Sequence, residues 1–210
     1  MRIGVVADTH VGDNLPEVPG EVCEALAGVD LILHAGDIID PAALDVLRAV
    51  APVVAVRGNH DEREGHRDLP RDLLVRVGGV RIGLTHGQRR AAAELPAILV
   101  SLVAGRPVHL GFERVMLRRF PGADCVVVGH LHERINHEVG GVLLFSPGAV
   151  FSAEHDPAFD WSTPRARVYR RYRRGLPSEA HRPAVGLIEA GPGVLRTRVI
   201  PLLRPIREAA

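Results

Sequence analysis

The sequence predicts a layered α/β domain, with sheets covered by helices, and three observations carry that prediction. Short apolar, β-branched runs recur along the chain, helix-like stretches separate the first of them, and the second half is rich in strands. With 210 residues, 46% hydrophobic and 24% charged, one domain can bury a full core without covalent staples.

The first run, "RIGVVAD", reads as a buried strand, and "VDLILHAGD" and "APVVAVRGN" read as its successors. Between the first two, "NLPEVPGEVCEALAGVD" has prolines at its start and Gly28 at its end, the asymmetry a short helix prefers. "DPAALDVLRAV" is a cleaner helix, with Asp40 as N-cap, Pro41 at the first helical position and apolar residues at helical spacing. "VRIGLTHG", "ADCVVVGH" and "GVLLFSPG" complete the buried strands, and "AVGLIEAGPGVLRTRVIPL" predicts a hairpin closed by Gly-Pro-Gly. Two stretches read as insertions into a single domain of residues 1–210: an arginine-rich, helical excursion at 88–121 and an irregular polar one at 151–182. The second holds Trp161 and "RARVYRRYRRG", read as an arginine-rich strand facing solvent or an interface.

Composition removes several classes. Cys23 and Cys125 are the only cysteines and lie in separate apolar segments, so neither a disulfide framework nor a thiolate zinc site is expected. "MRIGVVADTH" enters the first strand without a secretory leader, and no apolar run reaches the roughly 18 residues of a membrane span. A cytoplasmic protein is the expectation. The net charge of +1 gives the molecule as a whole little pull on a polyanion.

The polar residues fall in a pattern. Five strands in turn end in Asp8-Thr9-His10, Gly36-Asp37, Gly58-Asn59-His60-Asp61, Thr85-His86-Gly87 and Gly129-His130-Leu131-His132. In open α/β sheets the carboxyl edge is where ligands bind. In extended chain His130 and His132 point the same way. One Asp-x-His or one His-x-His is weak evidence, and a lone Gly-Asp after a strand is usually a turn. The constellation is different, because carboxylates and imidazoles buried together are costly unless a cation joins them. Carboxylate, amide and imidazole donors without thiolate suit Mn, Fe, Zn or Ni, and the set is large enough for two ions.

In this order the motifs resemble the calcineurin-like metallophosphoesterases, and "HAGD", "VRGNHD" and "SPGA" look most like their small bacterial and archaeal phosphodiesterase branch. The resemblance covers residues 1 to about 150 and implies two facing β-sheets flanked by helices, a four-layer α-β-β-α sandwich. It implies that one divalent ion takes Asp8, His10, Asp37 and His132, and the second Asp37, Asn59, His86 and His130, with Asp37 bridging. Mn2+ is the expected metal. A hydroxide between the two ions would then attack a phosphodiester, with His60 as general acid and Asp61 orienting it or stabilising its charge. A structural role for His60 is the alternative. His34 reads as a buried hydrogen-bonding residue supporting Asp37, while His66, His109, His137, His155 and His181 lie outside the motifs. Ser146 and Ala149 depart from the branch's usual Asn-Pro-Gly-Ser turn.

The resemblance implies a phosphoester substrate, a small diester or a nucleotide. Alternatives are a DNA-processing nuclease, for which "ADTHVGD" and "GDIID" speak, and a phosphomonoesterase or protein phosphatase. One eukaryotic retromer subunit resembles this branch and works by binding partners; the complete ligand set and His60 argue against a scaffold here. Residues 163–182 carry seven arginines against one glutamate. With Tyr169 and Tyr172 interleaved, segment 165–174 is a candidate nucleic-acid contact, or a steering arm for anionic substrates. The excursion at 88–121 is expected to cap the site or to form a contact in a homo-oligomer.

Overall fold

Aliphatic runs make the strands of this protein, and the polar residues behind them decide where each strand stops. The computed structural model describes residues 1–63, 68–153 and 159–202. The first sheet has the order β10-β9-β1-β2-β3, formed by β1 (Arg2–Val6), β2 (Leu31–His34), β3 (Val53–Ala55), β9 (Ala184–Gly191) and β10 (Val194–Pro201). The second has the order β4-β5-β6-β8-β7, from β4 (Asp72–Val77), β5 (Val80–Thr85), β6 (Cys125–Val127), β7 (Arg134–Val139) and β8 (Val142–Pro147). Strands β1, β2 and β3 are parallel, as are β5, β6 and β8. The carboxyl ends that carry the motifs therefore share an edge within each sheet.

Three apolar clusters account for four layers. Ile3, Val5 and Leu33 of the first sheet pack against Ile82, Val127 and Phe145 of the second, which makes the sheets face each other. Each such side chain, fully buried, contributes about 1.5–3 kcal/mol relative to exposure. On the outer face of the first sheet lie α1 (Gly20–Ala25) and α2 (Ala42–Arg48), through Val22, Leu44 and Leu47. Outside the second lies α5 (Phe112–Arg119), whose Phe112 and Met116 pack on Val126 and Leu144. The expected two-sheet sandwich is what the chain forms. Asp40 caps α2 as expected, its Oδ1 accepting the Ala42 N–H at 2.9 Å.

Two edge strands, β4 and β7, were not read from the sequence. Each joins its buried neighbour through a Gly-Gly pair, Gly78-Gly79 (φ 59° and 81°) and Gly140-Gly141 (φ 60° and 80°). Two successive positive φ angles are what a two-residue type I′ hairpin requires, and glycine adopts them without a Cβ clash.

A larger correction concerns 165–174. This segment belongs to a helix, α6 (Pro164–Arg173), not a strand. Thr163 Oγ1 accepts the Ala166 N–H at 3.1 Å and Pro164 sits in the first turn, so the start is capped in the ordinary way. Ala166 and Arg173 are buried and Tyr169 packs against the first sheet's outer cluster, an inward face at helical spacing. The excursion at 88–121 is helical as expected: α4 (Ala91–Ala104), with Pro96 inside it, then α5. A 3-10 turn follows α6 at Ser178–His181. His66 and His155 lie outside the described residues.

Candidate metal centre

The loops after β1, β2 and β6 hold their polar residues in an uncommon backbone conformation. Six non-glycine residues have positive φ among the described residues: Asp8, His10, Asp37, Ile39, His130 and His132, at 50–71°. Five of them are expected ligands. Left-handed backbone costs an L-residue about 1–2 kcal/mol, and such strain gathers at functional sites. Here the backbone is pinned: the Asp8 N–H donates to Gly36 O and the His10 N–H to Asp37 O, each at 3.0 Å.

The strongest pin is Asp61, in the short helix α3 (Asn59–Arg63) after β3. Its buried carboxylate accepts four backbone N–H groups, from Asp37 (2.9 Å), Ile38 (2.9 Å), Ile39 (2.7 Å) and Gly58 (2.7 Å). Asp61 is therefore turned away from the task expected of it: its hydrogen bonds among the described residues go to the β2 loop and Gly58, and none goes to His60. The carboxylates facing His60 are Asp37, which shares a group with its ring, and Asp13, with Oδ2 3.4 Å from His60 Nδ1. Gly58 is required at its position, since a Cβ there would stand 2.1 Å from Asp37 Oδ1.

Around this frame the side chains converge in three groups, each with ligand atoms within 4.8 Å of one another: Asp8, His10 and His132; His10, Asp37 and His60; and Asp8, Asp37 and His86. His132 Nε2 is 3.3 Å from Asp8 Oδ1, and His86 Nε2 is 3.2 Å from both Asp37 Oδ2 and Asn59 Oδ1. The opposite ring nitrogen, His86 Nδ1, donates to Ala35 O at 2.8 Å and so aims Nε2 at the carboxylates. His130 is tied in by its backbone, its N–H 3.1 Å from both Asp8 oxygens. Its ring lies beside that of His86 but points Nε2 at Glu94 Oε1, 3.6 Å away, so His130 joins none of the three groups.

The electrostatics are those of a cation site. Burial would raise the Asp8 and Asp37 carboxyls, yet His132 and His86 outweigh it at Asp8, and His86 and His10 at Asp37, holding both below the usual range. Burial likewise opposes charge on His86, but Asp37 and Asp8 prevail and raise it to about 9. Without a metal these carboxylates draw a proton onto His86; the same field attracts a divalent ion. Unpartnered atoms leave room for an ion: both His10 ring nitrogens and His132 Nδ1 are buried with no hydrogen-bond partner among the described residues. An oxygen- and imidazole-rich donor set of this kind suits a transition metal.

Behind the centre, the Gly36 N–H donates to His34 Nδ1 at 3.2 Å, leaving His34 Nε2–H for Thr9 Oγ1 at 3.2 Å. Burial, partly offset by Asp61 and Asp8, pushes His34 down to about 4. Arg57 pairs with Glu62 at 3.1 Å. Residues the sequence did not single out border the centre: Glu94 and Arg89 from the excursion at 88–121, and Arg173, whose guanidinium donates to His132 O at 3.0 Å. Burial would raise Glu94, but His130 and Arg89 outweigh it and hold it near 2. No spacing in the sequence marks these residues: Arg89 precedes α4, Glu94 lies in it, and Arg173 comes from α6.

Residues 1–162 match the family model for the calcineurin-like phosphoesterase superfamily domain, and the chain belongs to that family. A probable metallophosphoesterase of Methanothermobacter thermautotrophicus is 35% identical over 149 residues, covering 71% of this chain and 77% of that protein. A phosphodiesterase of Methanocaldococcus jannaschii is 26% identical, covering 70% and 83% of the two chains. Among solved structures, a Vps29 single mutant from Entamoeba histolytica covers 97% of this chain and 100% of its own, with a TM-score of 0.62 at 19% identity. An archaeal phosphodiesterase superposes with a TM-score of 0.56 at 21% identity, covering 95% and 100%. Those two likenesses speak for the fold.

Proposed function

We propose that this protein hydrolyses phosphodiesters with two divalent metal ions, Mn2+ foremost, and with His60 as general acid. The observation that carries this is the knot of buried carboxylates and imidazoles on strained, pinned backbone, with the His10 ring lacking any hydrogen-bond partner among the described residues. Asp8, His10, Asp37 and His132 would hold one ion, and Asp37, Asn59, His86 and His130 the other. Ions bound there would supply an acidified water and neutralise charge on the phosphoryl oxygens.

The chain's own groups do the rest. Asp37 is fixed from both sides, its N–H by Asp61 and its Oδ1 by the His60 N–H at 2.8 Å. His60 stands at the rim with its ring 4.8 Å from that of His10 and its side chain 24% exposed, so it meets both the reacting group and solvent. Burial holds His60 below the usual imidazole range although Asp37 and, less strongly, Asp13 favour its charged form, so the protonated ring readily gives its proton to the departing alkoxide. Asp61 acts through the backbone. The chain is one domain in which α4 and α6 wall the cleft over the centre. Two free cysteines, Cys23 and Cys125, support a cytoplasmic setting.

The test is to strip the protein of metal, reload it with Mn2+, and compare bis(4-nitrophenyl) phosphate with 4-nitrophenyl phosphate. Diester turnover is expected to vanish in Asp37→Ala and to fall about 10²–10⁴-fold in kcat in His60→Gln. Preference for the monoester would move the assignment to a phosphatase. Absence of bound metal by calorimetry would favour the partner-binding role of a Vps29-like fold.

A further inference from the structure

The metal centre lines a chamber with an apolar wall, and an arginine-rich groove adjoins that chamber. The chamber has about 440 Å³, and Ile98 and Leu102 of α4, Val168 and Tyr169 of α6, and Leu131 form its apolar wall. His60 opens into this chamber. The adjoining groove has about 690 Å³ and is bordered by Arg63, Arg71, Arg89, Arg90 and Arg119. Asn59, Arg63, Arg89, Glu94 and His130 border both, so the two openings join along these residues.

Three of the groove's arginines are already neutralised: Arg71 by Glu62 at 2.7 Å, Arg119 by Asp72 at 3.4 Å and Arg89 by Glu94 at 3.3 Å. Arg63 and Arg90 are exposed and have no carboxylate partner among the described residues. A substrate reaching from the chamber into the groove would thus meet the apolar wall first, the uncompensated Arg63 where the two openings join, and the uncompensated Arg90 in the groove. We infer that the substrate is an asymmetric phosphodiester, with an apolar alcohol in the chamber and an arm bearing a second anionic group in the groove.

This rests on the phosphodiesterase reading and adds a direction to it. His60 lines the chamber but not the groove, so the alcohol that leaves is the apolar one. Water oxygen bonds to phosphorus, the phosphorus–oxygen bond to the apolar alcohol breaks, and that oxygen takes its proton from His60. His60 regains a proton from the one the water gives up. The products are the apolar alcohol and a phosphomonoester of the anionic arm, which remains in the arginine groove until release.

Two synthetic esters separate the possibilities: 4-nitrophenyl methyl phosphate and 4-nitrophenyl 2-phosphonoethyl phosphate, assayed on the Mn2+-loaded full chain. The phosphonoethyl ester is expected to be preferred about tenfold in kcat/KM, the combined effect of two exposed charge contacts. The ratio should fall toward one in the Arg63→Gln/Arg90→Gln double variant, and also at about 0.5 M salt, where exposed charges are screened. In Leu102→Trp, which narrows the chamber, KM should rise for both esters while their ratio holds. Hydrolysis of both esters at equal rates, or a ratio indifferent to the double variant, overturns the inference and leaves the phosphodiesterase reading standing. Hydrolysis of neither ester overturns both.

Discussion

Replacing Asp61 by asparagine tests whether one carboxylate holds the metal loops in place. Oδ1 accepts from Ile38 and Ile39 at 2.9 and 2.7 Å, and Oδ2 from Asp37 and Gly58 at 2.9 and 2.7 Å. An amide keeps one oxygen and presents its NH2 group to the other pair, so two buried N–H donors lose an acceptor and face a donor. Each unsatisfied buried donor costs about 1–3 kcal/mol, so the change should destabilise the metal-free protein by about 3–5 kcal/mol. For a chain of this size that lowers the thermal midpoint by about 10 °C. Differential scanning calorimetry reads it directly, with His60→Gln, from the same short helix, as control. Isothermal titration should also show weaker Mn2+ binding, because Asp37 and Ile39 hold positive φ only while their N–H groups are clamped. A midpoint within about 2 °C of the parent, with unchanged affinity, would refute the clamp.

Other outcomes follow from the same site. Mn2+ at about 100 times its dissociation constant should stabilise the protein by about 2.7 kcal/mol, and a chelator should reverse this in a thermal melt. His10→Ala should abolish the gain from the ion it would share with Asp8 and His132. The metal-free protein should be most stable near pH 6.5. His34, lowered from 6.5 to about 4, contributes stability that is full above 6.5 and lost as pH falls toward 4, because only the unfolded chain then binds the proton. His86, raised from 6.5 to about 9, contributes stability that is full below 6.5 and lost as pH rises through 9. Each limb amounts to up to about 3 kcal/mol. Urea midpoints measured from pH 4.5 to 9 check this, and a profile rising steadily across that range would contradict it.

How much of this was legible in advance depends on the range of the forces involved. The buried strands and capped helices declare themselves through local periodicity and turn residues. The metal residues were also readable, because each stands just past a strand and parallel strands bring their carboxyl ends to one edge. The Gly-Gly hairpins were present in the sequence as signals, but their half-exposed edge strands, with polar residues such as Arg76, Asn136 and His137, lack the apolar run that draws attention. The segment around Tyr169 was misread for a related reason: its arginines hide an inward face that only the packing partner defines. Arg173 is buried because its guanidinium meets the His132 carbonyl, a partner 41 residues away.

The sequence by itself determined the family, the two-sheet sandwich and which side chains gather at its edge, since those follow from pattern and chain order. Only the tertiary structure decided what those side chains do to each other. It turned Asp61 onto backbone and gave His60 to Asp37 and Asp13, because hydrogen bonds form with whatever donor is nearest in space. It also brought Glu94, Arg63 and Arg90 to the rim. Charge acts across the few ångströms between folded elements, and chain order carries no measure of that distance.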